Sequence, residues 1–292
     1  MSIERLQEKI RKTKNPTILD FDMIPSQIPP HLMEEEGKFI KAYTRLCMEL
    51  MDGLRGLIPA VKFGFGGFAL EGTEGLTALS KLLDYAHHAG FYVILEAPEA
   101  LTAQRAQANA DMLFSQDYGW TCDGVLISAY IGSDAIKPYA AKLEEWNRTL
   151  FVTARTANRS AMELQDLLTG GRHVFEAISD IVNRYKNTQA SKSGYDRVAL
   201  VGPASSAAIL QKLREKYKNL FIMVDGYDYP NANAKNCAAA ADKLGHGVIV
   251  CGGTSITSAW QIEDNDGREF VSDAKEAAER MKKNLLRYFT VL

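Results

Sequence analysis

Several of the usual signposts are missing from this sequence. No stretch of about 18 apolar residues exists to cross a bilayer. The opening segment, MSIERLQEKIRKTKNP, is charged and carries no apolar core of the kind a secretory leader needs. The four cysteines, Cys47, Cys122, Cys237 and Cys251, are far apart and form no CxxC pair. That spacing argues against a zinc site and a disulfide framework, and for a reducing, cytoplasmic setting. Neither sign of charge dominates: 34 Lys and Arg against 36 Asp and Glu leave a formal net charge of -2. Such a balance gives no electrostatic reason to expect nucleic acid or an anionic membrane as partner. No low-complexity linker divides the chain, and no GxGxxG follows the first apolar strand. The five histidines, His31, His87, His88, His173 and His246, fall away from the expected strand ends, so none is expected to act as a general base.

What is present is an ordinary globular composition, 46% hydrophobic and 24% charged over 292 residues, with ample length for one large core. Short apolar runs rich in β-branched residues alternate with segments of helical spacing. The runs are Thr17–Phe21, Ala60–Phe63, Phe91–Glu96, Gly124–Ser128, Thr149–Thr153, Arg197–Val201, Leu220–Val224 and Gly247–Cys251. A short basic helix over Ile3–Lys12 precedes the first. Helical segments are expected over Phe39–Leu54, Glu74–Ala89 (closed by Gly90), Ala100–Phe114, Asp134–Trp146, Ser160–Tyr185 (interrupted at Gly170-Gly171), Ser205–Tyr217 and Asn233–Leu244, and over most of the remainder. Alternating strands and helices imply a parallel sheet, and eight units fit a closed (β/α)8 TIM barrel, an α/β fold, as a single domain over 1–292. An open doubly wound sheet is the competing architecture.

The stretch FYVILEAPEAL organises the functional reading. Its apolar run stops at Glu96, the position where barrel enzymes carry their chemistry, the C-terminal end of a strand. Asp20 and Asp22, in LDFDMIP, end the first strand, and their i, i+2 spacing puts both on one face if the strand continues that far. Lys62, in PAVKFGFGGF, ends the second. Together these form either a reactive array of carboxylates and one ammonium or a structural ion-pair network across the barrel top. Arg155, Thr156 and Asn158 follow the fifth strand. They offer donors to a polar ligand, or else satisfy their own loop and nearby carboxylates. Ser205 or Ser206 is expected to cap a helix. Tyr227 and Tyr229, in VDGYDYPNANAKN, could cover a pocket. Gly252, Gly253 and Thr254, in CGGTSIT, sit at the usual phosphate position of such barrels, where a Gly-Gly turn is also ordinary loop chemistry.

In this order the motifs resemble orotidine 5′-monophosphate decarboxylases, specifically their longer bacterial subgroup, over roughly Ile18 to Ala259. LDFDMIP is similar to the family's Leu-Asp-Pro segment and AVKFGFGGFALEG to its Val-Lys-Pro segment. YIGSD, RTANRSAMELQD and VGPASSAAILQKLR also run parallel to subgroup stretches. The resemblance implies a (β/α)8 barrel, a homodimer, no metal or organic cofactor, and a nucleotide monophosphate at the barrel mouth. It also implies roles for Asp22, matching the first-strand aspartate, and Lys62, matching the second-strand lysine. The family's Asp-x-Lys-x-x-Asp motif is where the sequence departs: Glu96, Pro98 and Leu101 stand at those positions. Ala157 replaces a pyrimidine-contacting serine, Thr254 a phosphate-binding arginine, and DGYDYPN a Gly-rich loop. Three readings follow. The chain is a divergent member binding or transforming a small phosphorylated or nucleotide-like metabolite with Asp22, Lys62 and Glu96, or a non-catalytic scaffold, or a decarboxylase using Lys62.

Overall fold

A computed structural model describes residues 1–115, 117–186 and 191–291. Eight parallel strands close into a barrel: β1 (Thr17–Phe21), β2 (Ala60–Gly64), β3 (Tyr92–Glu96), β4 (Gly124–Ser128), β5 (Thr149–Thr153), β6 (Val198–Pro203), β7 (Phe221–Asp225) and β8 (Val248–Gly252). Each pairs with its sequence neighbours, and β1 closes the ring against β8. The strands form because β-branched and aromatic residues fit a sheet buried on both faces. The expected (β/α)8 architecture stands, and the open doubly wound sheet does not.

Alternation along each strand divides the core in two. Leu19, Phe21, Val61, Phe63, Val93 and Leu95 point outward and pack beneath the helical layer. Ile18, Ala60, Tyr92, Ile94, Phe151, Ala199, Phe221 and Ile249 point inward and fill the lumen. The N-terminal helix, Ser2–Thr13, joins this inner group. Its Ile3, Leu6 and Ile10 lie on one face and are fully or almost fully buried, so the helix plugs the N-terminal end of the barrel. Burial of each such side chain contributes roughly 1.5–3 kcal/mol.

Crossover helices follow the strands, including Phe39–Leu54, Gly72–His88, Ala103–Leu113, Ala207–Lys216 and Phe270–Leu286. Ser206 caps its helix, accepting from the Ile209 amide at 3.3 Å. Gly90 follows the end of its helix with φ of 92°, a backbone that glycine adopts at no steric cost. The expected helical stretch Ser160–Tyr185 is corrected. A 3-10 turn, Arg159–Glu163, leads into a small hairpin of Leu168–Thr169 and Arg172–His173, and the helix covers Val174–Arg184 alone. Gly170 and Gly171, at φ 57° and 80°, form a hairpin turn that L residues resist. The helix expected over Asn233–Leu244 is likewise shortened, to Ala234–Ala238. The Asp242 carboxylate accepts from the amides of Leu244 and His246 and draws the chain into a turn instead.

Candidate active site at the barrel mouth

The top inward layer is polar. Asp20 and Lys62 are paired in register on β1 and β2, so their side chains enter the lumen side by side. Lys62 Nζ lies 2.8 Å from Asp20 Oδ2 and 3.5 Å from Glu96 Oε2. Asp20 and Lys62 are each 5% exposed, whereas the Glu96 side chain is 47% exposed. Asp225, at the end of β7, and Cys251, on β8, complete the layer, and their ligand atoms and that of Asp20 lie within 4.8 Å of one another.

Burial opposes the charge on Lys62, but Asp20, Asp225, Cys251 and Glu96 outweigh it and hold the ammonium well above its ordinary pKa. Burial pushes the Asp20 carboxyl up to about 7; Lys62 pulls it down, and Asp22 and Asp225 push it further up. Burial, with Asp225 and Asp20 beside it, raises the Cys251 thiol well above its usual range. Asp20 Oδ1 is buried and meets no donor among the described residues.

Two adjoining cavities share Lys62, Glu96 and Asp225. One, of about 220 Å³, runs past Pro98, Ser128, Thr153 and Thr156. The other, of about 430 Å³, runs past Asp20, Asp22, Tyr227, Asp228, Cys251 and Thr254. Tyr227 and Tyr229 border the second without filling it. Of the described residues lining the two, Lys62 alone is basic.

The expected residues separate into two groups. Lys62 and Glu96 meet as expected. Asp22 borders the second cavity but stands one residue beyond β1 and is exposed, so Asp20, not Asp22, is the partner of Lys62. Arg155 is not among the described residues that line the two cavities. Its guanidinium bonds Asp166 at 3.2 and 2.9 Å and the Thr156 carbonyl at 2.7 Å, the satisfied-loop alternative. The Thr156 hydroxyl donates to Asn158 Oδ1 at 2.5 Å, and its amide donates to Gln165 at 2.8 Å, although Thr156 still lines a cavity.

Gly252 is buried in β8, while Gly253 and Thr254 turn to the mouth. There the Asp228 carboxylate already accepts from the Gly253 amide at 3.0 Å, the Thr254 hydroxyl at 3.3 Å and the Ser255 amide at 3.3 Å. Ala157 is buried, and Gly226 packs so closely on it that a Cβ there would lie 2.2 Å from the Ala157 methyl. Pro98 borders the smaller cavity, and Leu101 is 78% exposed. Asp225 and Cys251 were not anticipated. LFIMVD ends in a carboxylate as FYVILE does, so the signal that singled out Glu96 also marks Asp225.

No family model matches the chain. Orotidine 5′-phosphate decarboxylase of Rhodopirellula baltica is 26% identical over 269 residues, 89% of each chain. The same-named protein of Clostridium acetobutylicum is 24% identical over 283 residues, 97% of this chain and 98% of that one. The solved structure of Leishmania donovani OMP decarboxylase superposes with a TM-score of 0.73 at 20% identity, covering 98% of each chain, and supports the fold. The resemblance read from the motifs therefore extends over most of the chain, which is an orotidine 5′-monophosphate decarboxylase-like (β/α)8 barrel.

Proposed function

We propose that this barrel retains the mouth as a binding site for a small polar metabolite and no longer decarboxylates orotidine monophosphate efficiently. Loss of carbon dioxide leaves an electron pair on carbon, which needs a cation close by and a proton source. The observation that carries the reading is the occupancy of the mouth's basic position. Lys62 is already engaged by Asp20 and Glu96, and Pro98, which cannot supply a proton, borders the smaller cavity. Lys62 reaches the mouth from a different strand, and a displacement of about 1 Å can cost roughly 100-fold in rate.

The anion-binding features support the same reading. The Gly253 turn holds a carboxylate of the chain itself, Arg155 is neutralised by Asp166, and the larger cavity is bordered by Asp20, Asp22, Asp225 and Asp228. A phosphorylated or nucleotide-like ligand, as the relatives' name implies for them, would have to displace Asp228. The protein acts without an organic cofactor in the cytoplasm, as a homodimer like the family it resembles.

Orotidine monophosphate consumption, followed by ultraviolet absorbance at stoichiometric enzyme, tests the reading. No turnover above background is expected. Rapid carbon dioxide release, abolished by Lys62→Ala, would overturn it and make Lys62 the proton donor. A panel of polar and phosphorylated metabolites read by thermal shift then separates binding from scaffold. A true ligand at about 100 times its dissociation constant adds about 2.7 kcal/mol, and silence across the panel favours a non-catalytic barrel.

A further inference from the structure

We propose that Asp20, Asp225 and Cys251 form a divalent-cation site at the floor of the mouth, matched to zinc. Three strand ends, on β1, β7 and β8, bring two carboxylates and one thiol together with their ligand atoms within 4.8 Å. Ligands of a bound zinc ion lie roughly 3.3–3.8 Å apart, given Zn–O near 2.1 Å and Zn–S near 2.3 Å. Small side-chain rotations on rigid strands close that difference.

An independent feature points to a missing partner. Asp20 is 5% exposed, Lys62 takes its Oδ2, and its Oδ1 meets no donor among the described residues. A buried polar atom left without a partner is costly, and at Asp20, which borders the cavity, a bound ion would supply one.

Charge and access agree. Asp20, Asp225 and Glu96 set three carboxylates around the single ammonium of Lys62, an imbalance that a doubly charged ion lessens even after Cys251 ionises. All three ligands border the 430 Å³ cavity, so an ion can enter, and three protein ligands leave a fourth position for water or a ligand oxygen. One sulfur and two oxygens favour zinc over magnesium or calcium, which take oxygen alone. On binding, the Cys251 thiol proton leaves to the buffer and the thiolate becomes the ligand. Lys62 competes with the ion for Asp20 and therefore weakens its binding.

The test uses the full chain after dialysis against a chelator, titrated with cobalt(II) as a spectroscopic stand-in and with zinc against a chromophoric chelator. One ion per chain is expected, with a near-ultraviolet thiolate-to-cobalt band that Cys251→Ser removes and Cys122→Ser retains. Zinc affinity should fall at least tenfold in Asp20→Asn and rise at least tenfold in Lys62→Met, with folding of each variant checked by circular dichroism. A folded wild-type protein without the band overturns the proposal. So does a band that survives Cys251→Ser, or equal zinc affinity in Asp20→Asn and Lys62→Met. Ion binding is read without substrate, so its failure is distinct from any failure in the turnover assay.

Discussion

The two ends of the barrel are made by the same strands and the same inward alternation, yet they treat charge in opposite ways. At the N-terminal end, buried charges are met by hydrogen bonds or an opposite charge. Arg214 is 8% exposed and donates to the carbonyls of Ala240, Lys218, Leu220 and Gly247 at 2.6–3.2 Å. Asp242 accepts from the Tyr195 hydroxyl and two amides, and Arg5 of the plugging helix pairs with Asp123. At the C-terminal end, three carboxylates surround one ammonium. The C-terminal end is also the end at which barrel enzymes in general carry their chemistry.

The largest expected effect lies at the closed end. Arg214→Ala strands several buried carbonyls at once and should lower stability by about 3–5 kcal/mol, read from urea unfolding. At the mouth, Glu96→Gln should cost no more than about 1 kcal/mol, because its half-exposed carboxylate is screened by water. Equal losses in the two variants would break the contrast between the ends.

A middle-sized effect sharpens it through pH. Burial works to raise the Asp242 carboxyl, but the Tyr195 hydroxyl and the His246 and Leu244 amides outweigh it and hold it below the ordinary value of 3.8. A depressed folded pKa gives stability that is present above the unfolded value and is lost as pH falls through the folded one. Wild-type protein should therefore exceed Asp242→Asn by about 1–2 kcal/mol at neutral pH, allowing for partial exposure. The gap should narrow below about pH 4, where the unfolded carboxyl begins to protonate. A gap that stays constant from pH 7 to pH 3 would remove Asp242 from the set of matched charges.

The fold was more legible than the site. Thr17–Phe21, Gly124–Ser128 and Thr149–Thr153 form the strands expected of them, because an apolar run between breakers carries its own boundaries. Lys62 and Glu96 were legible for the same reason, as polar residues terminating such runs. The pairing of Lys62 with Asp20 was not legible, because motif matching does not say where a strand ends; register against β2 does. The meeting of Cys251 with Asp20 and Asp225 was not legible, because spacing along the chain is blind to groups that a closed barrel collects from β1, β7 and β8. The Gly253 turn read as an anion site could not reveal its occupant, since Asp228 reaches it from 25 residues away. What was not legible is in each case a long-range pairing, which periodicity and local motifs do not encode.

The smallest effect concerns that occupant. The Asp228 carboxylate is exposed, and a single oxygen is shared among two amides and a hydroxyl at 3.0–3.3 Å, so water can replace it with little loss. Asp228→Ala should lower stability by no more than about 1 kcal/mol. It should speed hydrogen exchange at the Gly253 and Ser255 amides while leaving the Gly247 amide, held at 3.0 Å by Gln7 at the closed end, unchanged. A loss approaching that of Arg214→Ala would make the loop after β7 a structural clasp, because an ordinary surface carboxylate cannot account for so much. Local exchange with little change in stability would instead mark Asp228 as a replaceable occupant, and the mouth as the end of the barrel whose polar contacts can be exchanged without unfolding it.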